Sequence, residues 1–247
     1  MEYNIATYFL LFMIYSIAGW LMEVTCKSIQ AKRFVNRGFM LGPYCPIYGW
    51  GAIMITILLR KYVNDWLILF IMSIITCGIL EYLTSYVLEK LFHARWWDYS
   101  KRKYNINGRI CLETLIPFGI LGLVIMYVTN PFIFAQLAKI PSHILNIIGG
   151  IAITLFGIDG IISFVVASKV RTTWTKLNKD GEKMDNTEQM TAKVKEILLG
   201  KSILHRRLVH AYPNLQATLK KKKEEIKQKT EEIKEDIKRK IEDNKIK

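Results

Sequence analysis

Five long apolar runs, nearly free of charge, constrain this chain more than any other feature. A hydrocarbon core about 30 Å thick takes about 20 apolar residues as a helix. The runs are Ile5 to Thr25, Ile47 to Leu59 extended back towards Met40, Trp66 to Leu88, Ile110 to Val128, and Ile144 to Ser168. They predict an all-α polytopic membrane protein of about five transmembrane helices. The first run has no basic n-region and no small-residue cleavage site after it, so it reads as a span and not as a signal peptide. The second is the irregular one, broken upstream by Gly42, Pro43 and Pro46.

Lys and Arg set the orientation. None precedes the first run, and Lys27, Lys32, Arg33 and Arg37 follow it. Only Arg60 and Lys61 separate the second and third runs, whereas Lys90, Arg95, Lys101, Arg102, Lys103 and Arg109 follow the third. Only Lys139 lies between the fourth and fifth, and a basic tail follows the fifth. The alternation predicts an N-terminus outside and a cytoplasmic C-terminus. The formal net charge of +14 then faces an anionic inner leaflet, not nucleic acid, because the tail has few aromatics to interleave with its cations.

The expected organisation is a transmembrane domain over 1–168 and a cytoplasmic basic helical tail over 169–247. Within the first, 5–59 and 66–128 read as similar helix-loop-helix units, and 144–168 adds a fifth helix. The similarity rests on two loops. "NRGFMLGPYCPIYGWG" (Asn36 to Gly51) and "NGRICLETLIPFGILG" (Asn107 to Gly122) each place a Gly and an Arg after an Asn, and a Pro ten residues on. In the tail, "TAKVKEILLG" and "KSILHRRLVHAY" are amphipathic pieces. Beyond Pro213, Leu219, Ile226 and Ile233 recur every seven residues, a stripe that suits a coiled-coil seam, and the segment reads as a lone solvated helix, as a route to self-association or partner pairing, or as a helix on the anionic leaflet. A truncation after Val170 is expected to leave the spans folded.

Acids within apolar runs are the candidate site. Glu23, Glu81, Glu113 and Asp159 all fall in the half of their run nearer the cytoplasm, and a charge there is costly enough to make each a functional candidate. Non-helical backbone at membrane depth survives only under cover of protein or water, and interrupted helices mark binding sites in transporters. Pro117 removes the helical bond to the Glu113 carbonyl. Together these predict a cytoplasm-facing vestibule that binds substrate through Glu23, Asn36, Arg37, Glu81, Asn107, Arg109, Glu113 and Asp159. Arg109 is expected to pair with Glu81 and Glu113. "HARWWDYS" (His93 to Ser100) predicts a lipid-headgroup contact from Arg95, Trp96, Trp97, Asp98 and Tyr99. A different use of the same stretch takes His93 as base and Asp98 as its orienter, with Ser85, Ser100 or Cys111 as nucleophile in an enzyme acting on lipid. The four cysteines form no CxxC pair and read as packing residues, with no metal site and no cofactor expected. No Walker phosphate loop is present, so this chain carries no ATPase site of that kind.

"GWLMEVTCKSIQAKRFVNRGFMLGPYCPIYGWGA" and "EYLTSYVLEKLFHARWWDYSKRKYNINGRICLETLIPFGILG" resemble the hallmark segments of the bacterial CmpB family of type IV ABC-transporter permeases. The resemblance covers about Gly19 to Gly122. It implies a multi-pass bacterial membrane protein, a transport-associated permease-like subunit, and a separate ATPase partner. The residues leave two other readings open: a non-transporting membrane scaffold whose tail recruits a partner, and the lipid enzyme.

Overall fold

The computed structural model describes residues 4–179, 187–212 and 215–217. The heptad stripe Leu219, Ile226 and Ile233 lies outside the described residues. The chain is all-α, with four strands of two residues each among the described residues. In order it forms α1 (Ile5–Ala31), α2 (Pro46–Leu58), α3 (Trp66–Phe92), α4 (Leu112–Val124), a π-helical turn (Ile125–Thr129), α5 (Asn130–Leu137), α6 (Ser142–Lys179), α7 (Thr187–Leu199) and α8 (Ile203–Ala211). Asn4 caps α1 through the Ala6 N–H, and Asp65 caps α3 through the N–H groups of Leu67 and Ile68.

Among the described residues, four helices are long and apolar enough to cross a membrane: Ile5–Ala31, Trp66–Phe92, Leu112–Leu137 and Ser142–Leu177. The exception corrects the expectation for the second run. Helix α2 has 13 residues, roughly 20 Å at about 1.5 Å per residue. The chain before it descends without helix, and the Cys45 N–H donates to the Ser16 carbonyl near the middle of α1 at 2.8 Å. Pro46 then opens α2 at a position where its missing N–H costs least.

Helices pair α1 with α2 and α3 with α4. Both pairs meet through a serine against a glycine. Ser16 and Ser73 turn their hydroxyls back to the carbonyls of Phe12 and Leu69. A Cβ on Gly49 would stand 2.6 Å from the Phe12 carbonyl oxygen, and one on Gly122 would overlap Ser73. These glycines set the approach of the backbones. At the end of the bundle away from the tail, Asn130 is buried and satisfied. It donates to Thr56 at 2.9 Å and accepts from Tyr15 at 2.8 Å, tying α5 to α2 and α1.

At the other end, α6 runs without a break through the 168/169 boundary. Phe92, Trp96, Val166 and Val170 share one core with Leu177, Met190, Val194, Leu198, Leu208 and Leu215. Residues 94–95 pair with 216–217 as an antiparallel ladder. The described part of the tail is therefore packed into the membrane portion, against the expectation that the spans fold without it.

Candidate functional site

A cavity of about 200 Å³ lies among α1, α2, α3 and α4 near the tail end. The non-helical descent, Trp96, Trp97, Tyr99 and Tyr212 wall it on that side. Two carboxylates line it, Glu23 on α1 and Glu81 on α3. Glu23 accepts from the Tyr48 hydroxyl at 2.8 Å and faces Arg37 Nε at 3.8 Å. Arg37 in turn donates to the Ala211 carbonyl at 2.7 Å and lies over the Tyr212 ring. Burial pushes the Tyr212 phenol up, so it stays neutral and presents its ring face to the guanidinium.

Glu81 is 7% exposed. Its Oε1 accepts from the Tyr99 hydroxyl at 3.2 Å, while Oε2 has no hydrogen-bond partner. Burial, and then the neighbouring Glu81, push the Tyr99 phenol up. Tyr99 therefore remains a donor at any physiological pH.

The expected residues separate into three groups. Glu23, Arg37 and Glu81 converge on the cavity. Asp159 does not line it. Its carboxylate accepts from the N–H groups of Leu41 at 2.9 Å and Gly42 at 2.7 Å, from Ser163 at 2.8 Å, and from the Tyr44 hydroxyl. It fastens the non-helical descent to α6. Asn36 accepts from the Trp20 indole at 3.0 Å. The third group sits on the segment between α3 and α4, outside the cavity. Asn107 and Gly108 have φ of 53° and 67°, the left-handed pair of a tight hairpin turn between 105–106 and 110–111. Asn107 donates to the Tyr82 hydroxyl at 3.0 Å.

The expected partnership of Arg109 with Glu81 and Glu113 does not form. Arg109 reaches Glu89 at 2.8 Å, which Arg95 also holds at 2.9 Å. It lies between the faces of Tyr82 and Tyr86 and donates to Ser85 at 3.3 Å. Glu113 faces outward and pairs with Arg102 at 2.7 Å. Helix α4 continues through Pro117, so the second loop yields no interrupted helix. The physical reason is the hairpin, which swings Arg109 towards the end of α3. Arg109→Ala is expected to cost about 3 kcal/mol, the low end for a broken buried pair because Arg95 stays on Glu89. Adding Glu89→Gln should recover part of that loss, and adding Glu113→Gln should recover none. Thermal unfolding of these variants decides it, and recovery with Glu113→Gln would return Arg109 to Glu113.

The dense stretch also turns inward. Trp96 is 3% exposed and packs in the shared core, which leaves it no access to a headgroup. Trp97 donates to the Arg109 carbonyl at 3.1 Å and, with Tyr99, lines the cavity. Asp98 accepts from the Ser100 N–H at 3.1 Å and faces Arg95 at 3.8 Å. His93 stacks on Trp174 with ring centroids 4.4 Å apart. Each is committed to other partners than a base–orienter pair requires. Sequence reasoning missed Tyr48, Tyr212 and Glu89. Their only signal was aromatic and acidic residues close to the runs' tail-side ends.

Fold and site together define a multi-pass α-helical membrane protein with a cavity at one end of its bundle that two carboxylates line. The CmpB family, described as "Putative ABC-transporter type IV", matches residues 10–164, and the chain belongs to that family. No curated protein and no solved structure matches it. Membership supports a transport-associated role in the membrane.

Proposed function

We propose that this chain is a permease-like subunit whose cavity is a vestibule open to the cytoplasm. The N-terminus lies outside, the tail inside, and a separate chain supplies ATP hydrolysis. The supporting observation is the convergence of Glu23, Arg37 and Glu81 on one cavity at the tail end. The Lys and Arg asymmetry of the connecting segments supports the orientation. The descent before α2 gives the vestibule its tail-side wall, and lets non-helical backbone exist at membrane depth because α6 and α8 cover it. Arg207 adds to that cover by donating to the Met40 carbonyl at 2.6 Å.

Native Cys77 lines the cavity and provides the test. In a chain with Cys26, Cys45 and Cys111 replaced by Ser, a membrane-impermeant thiol reagent should label Cys77 in inside-out vesicles and not in right-side-out ones. A further variant, Lys201→Cys, marks the side of the tail. Labelling of Cys77 from the outer face, or from neither face, would overturn the vestibule. Labelling of the Lys201→Cys thiol from outside would overturn the orientation.

A further inference from the structure

We propose that the cavity binds a small organic ammonium compound with an oxygen acceptor at its other end, an amino-acid-sized zwitterion, held between the Glu81 carboxylate and the Trp96 indole N–H. The inference deepens the vestibule reading and rests on it for access.

Unmet hydrogen-bonding capacity is concentrated here. Five buried side-chain atoms among the described residues lack a hydrogen-bond partner: Arg37 Nε, Glu81 Oε2, Trp96 Nε1, His205 Nε2 and Arg207 Nε. The first three belong to residues that line the cavity, and the other two belong to α8. Leaving such buried groups unpaired is costly, and a ligand with matching groups recovers that cost. The acceptor is on Glu81, and the donors are on Trp96 and Arg37. The complement is one donor-bearing cation and one acceptor.

Charge gives the same polarity. Arg37 and Glu23 offset each other at 3.8 Å. Glu81 has no ion-pair partner among the described residues, so it is the one acid of the cavity left for a cation to pair with. An ammonium supplies a positive charge and three donors, and the faces of Tyr48, Tyr99 and Trp97 around the cavity suit a cation. A ligand that is only an anion meets two carboxylates and one cation already engaged.

An inorganic divalent ion fits less well. Calcium and magnesium take six or more oxygens, and the described residues hold no group of three His, Cys, Asp or Glu placed for a metal. The remaining walls are apolar, among them Ile55, Leu80 and Phe118. At about 200 Å³ the cavity is smaller than the roughly 300–1,000 Å³ of sites for drug-sized ligands, which limits the ligand to amino-acid size.

Three probes with one carbon chain test this on the purified full chain in nanodiscs. They are 4-aminobutanoate, butylamine and butanoate at millimolar concentrations, read by thermal unfolding and by calorimetric titration. The expected order of stabilisation is 4-aminobutanoate, then butylamine, with no effect from butanoate. That order needs no variant, so it stands even if a substitution perturbs folding. Glu81→Gln should weaken both amines by about tenfold or more. Trp96→Phe, which keeps a ring and loses the N–H, should bring 4-aminobutanoate down to the level of butylamine and leave butylamine unchanged. Absence of a shift with every probe, butanoate acting as well as 4-aminobutanoate, or unchanged amine binding in Glu81→Gln each overturns the proposal. Failed binding with Cys77 still labelled from the cytoplasmic side removes the ligand class alone. Intact binding with Cys77 unlabelled removes the open vestibule alone.

Discussion

Ending the chain after Val170 is expected to abolish the folded membrane portion, not merely to trim it. The cut removes Leu177, Met190, Val194, Leu198, Leu208, Val209 and Leu215 from a core they share with Phe92, Ala94, Trp96, Val166, Ala167 and Val170. Each such side chain is worth about 1.5–3 kcal/mol when fully buried. Their joint loss is on the order of 10 kcal/mol, comparable with the roughly 5–15 kcal/mol that holds a whole domain. The cut also takes the strand beside Ala94 and Arg95, and the Ala211 carbonyl that engages Arg37. The readout is the size-exclusion profile and protease resistance of detergent-solubilised protein. A chain ended after Ala217 keeps every contact named here and should behave as the full chain. A monodisperse, protease-resistant product from the Val170 cut would show that this shared core is dispensable.

That core also shows where the sequence stopped being legible. Both of its halves were visible, as amphipathic tail pieces and as the aromatic stretch around Trp96 and Trp97. The aromatic stretch had a satisfactory explanation by itself as a headgroup anchor, and the apolar faces of the tail pieces named no partner, so nothing in either half required the other. The long spans were legible because lipid demands unbroken apolar length whatever the packing. Their faces were not. Lipid and protein interior are equally apolar, so a run such as Trp66 to Leu88 carries little sign of which side meets a neighbour. Glu81 and Glu113 therefore looked alike as acids in apolar runs, yet one lines the cavity and the other pairs outward with Arg102. Partner choice failed for a related reason. Arg109 could reach several carboxylates along the chain, and only the hairpin at Asn107 and Gly108 selects Glu89. Among the acids, Asp159 was found for its place in an apolar run, but its role as an acceptor for backbone lay in the shape of a loop that has no helical or strand period to read.

Replacing Asp159 by Ala is expected to release that loop. One carboxylate there accepts from two backbone N–H groups, a serine and a tyrosine. Leu41 retains a second acceptor in Ser163 at 3.1 Å, whereas no other acceptor is recorded for the Gly42 N–H among the described residues. An orphaned donor costs about 1–3 kcal/mol where it is buried, Gly42 and Asp159 are half-buried, and hydrogen bonds to a charged acceptor exceed neutral ones. The expected loss is therefore roughly 3–5 kcal/mol for Asp159→Ala. Tyr44→Phe removes one donor and leaves the carboxylate paired, so it should cost only about 1–2 kcal/mol. Asp159→Asn should fall near Ala. Its amide offers one acceptor and turns two further donors towards a cluster made of donors. Unfolding of the three variants fixes the order. The same loop walls the cavity through Gly38 and Cys45, so releasing it should also speed labelling of Cys77 in the single-cysteine background. Loss of stability without faster labelling would mean that the wall is held from the tail side, by Arg37 on the Ala211 carbonyl and Arg207 on the Met40 carbonyl. An Asp159→Ala protein as stable as the parent would mean that those two arginines alone are enough to hold the non-helical segment before α2 in place.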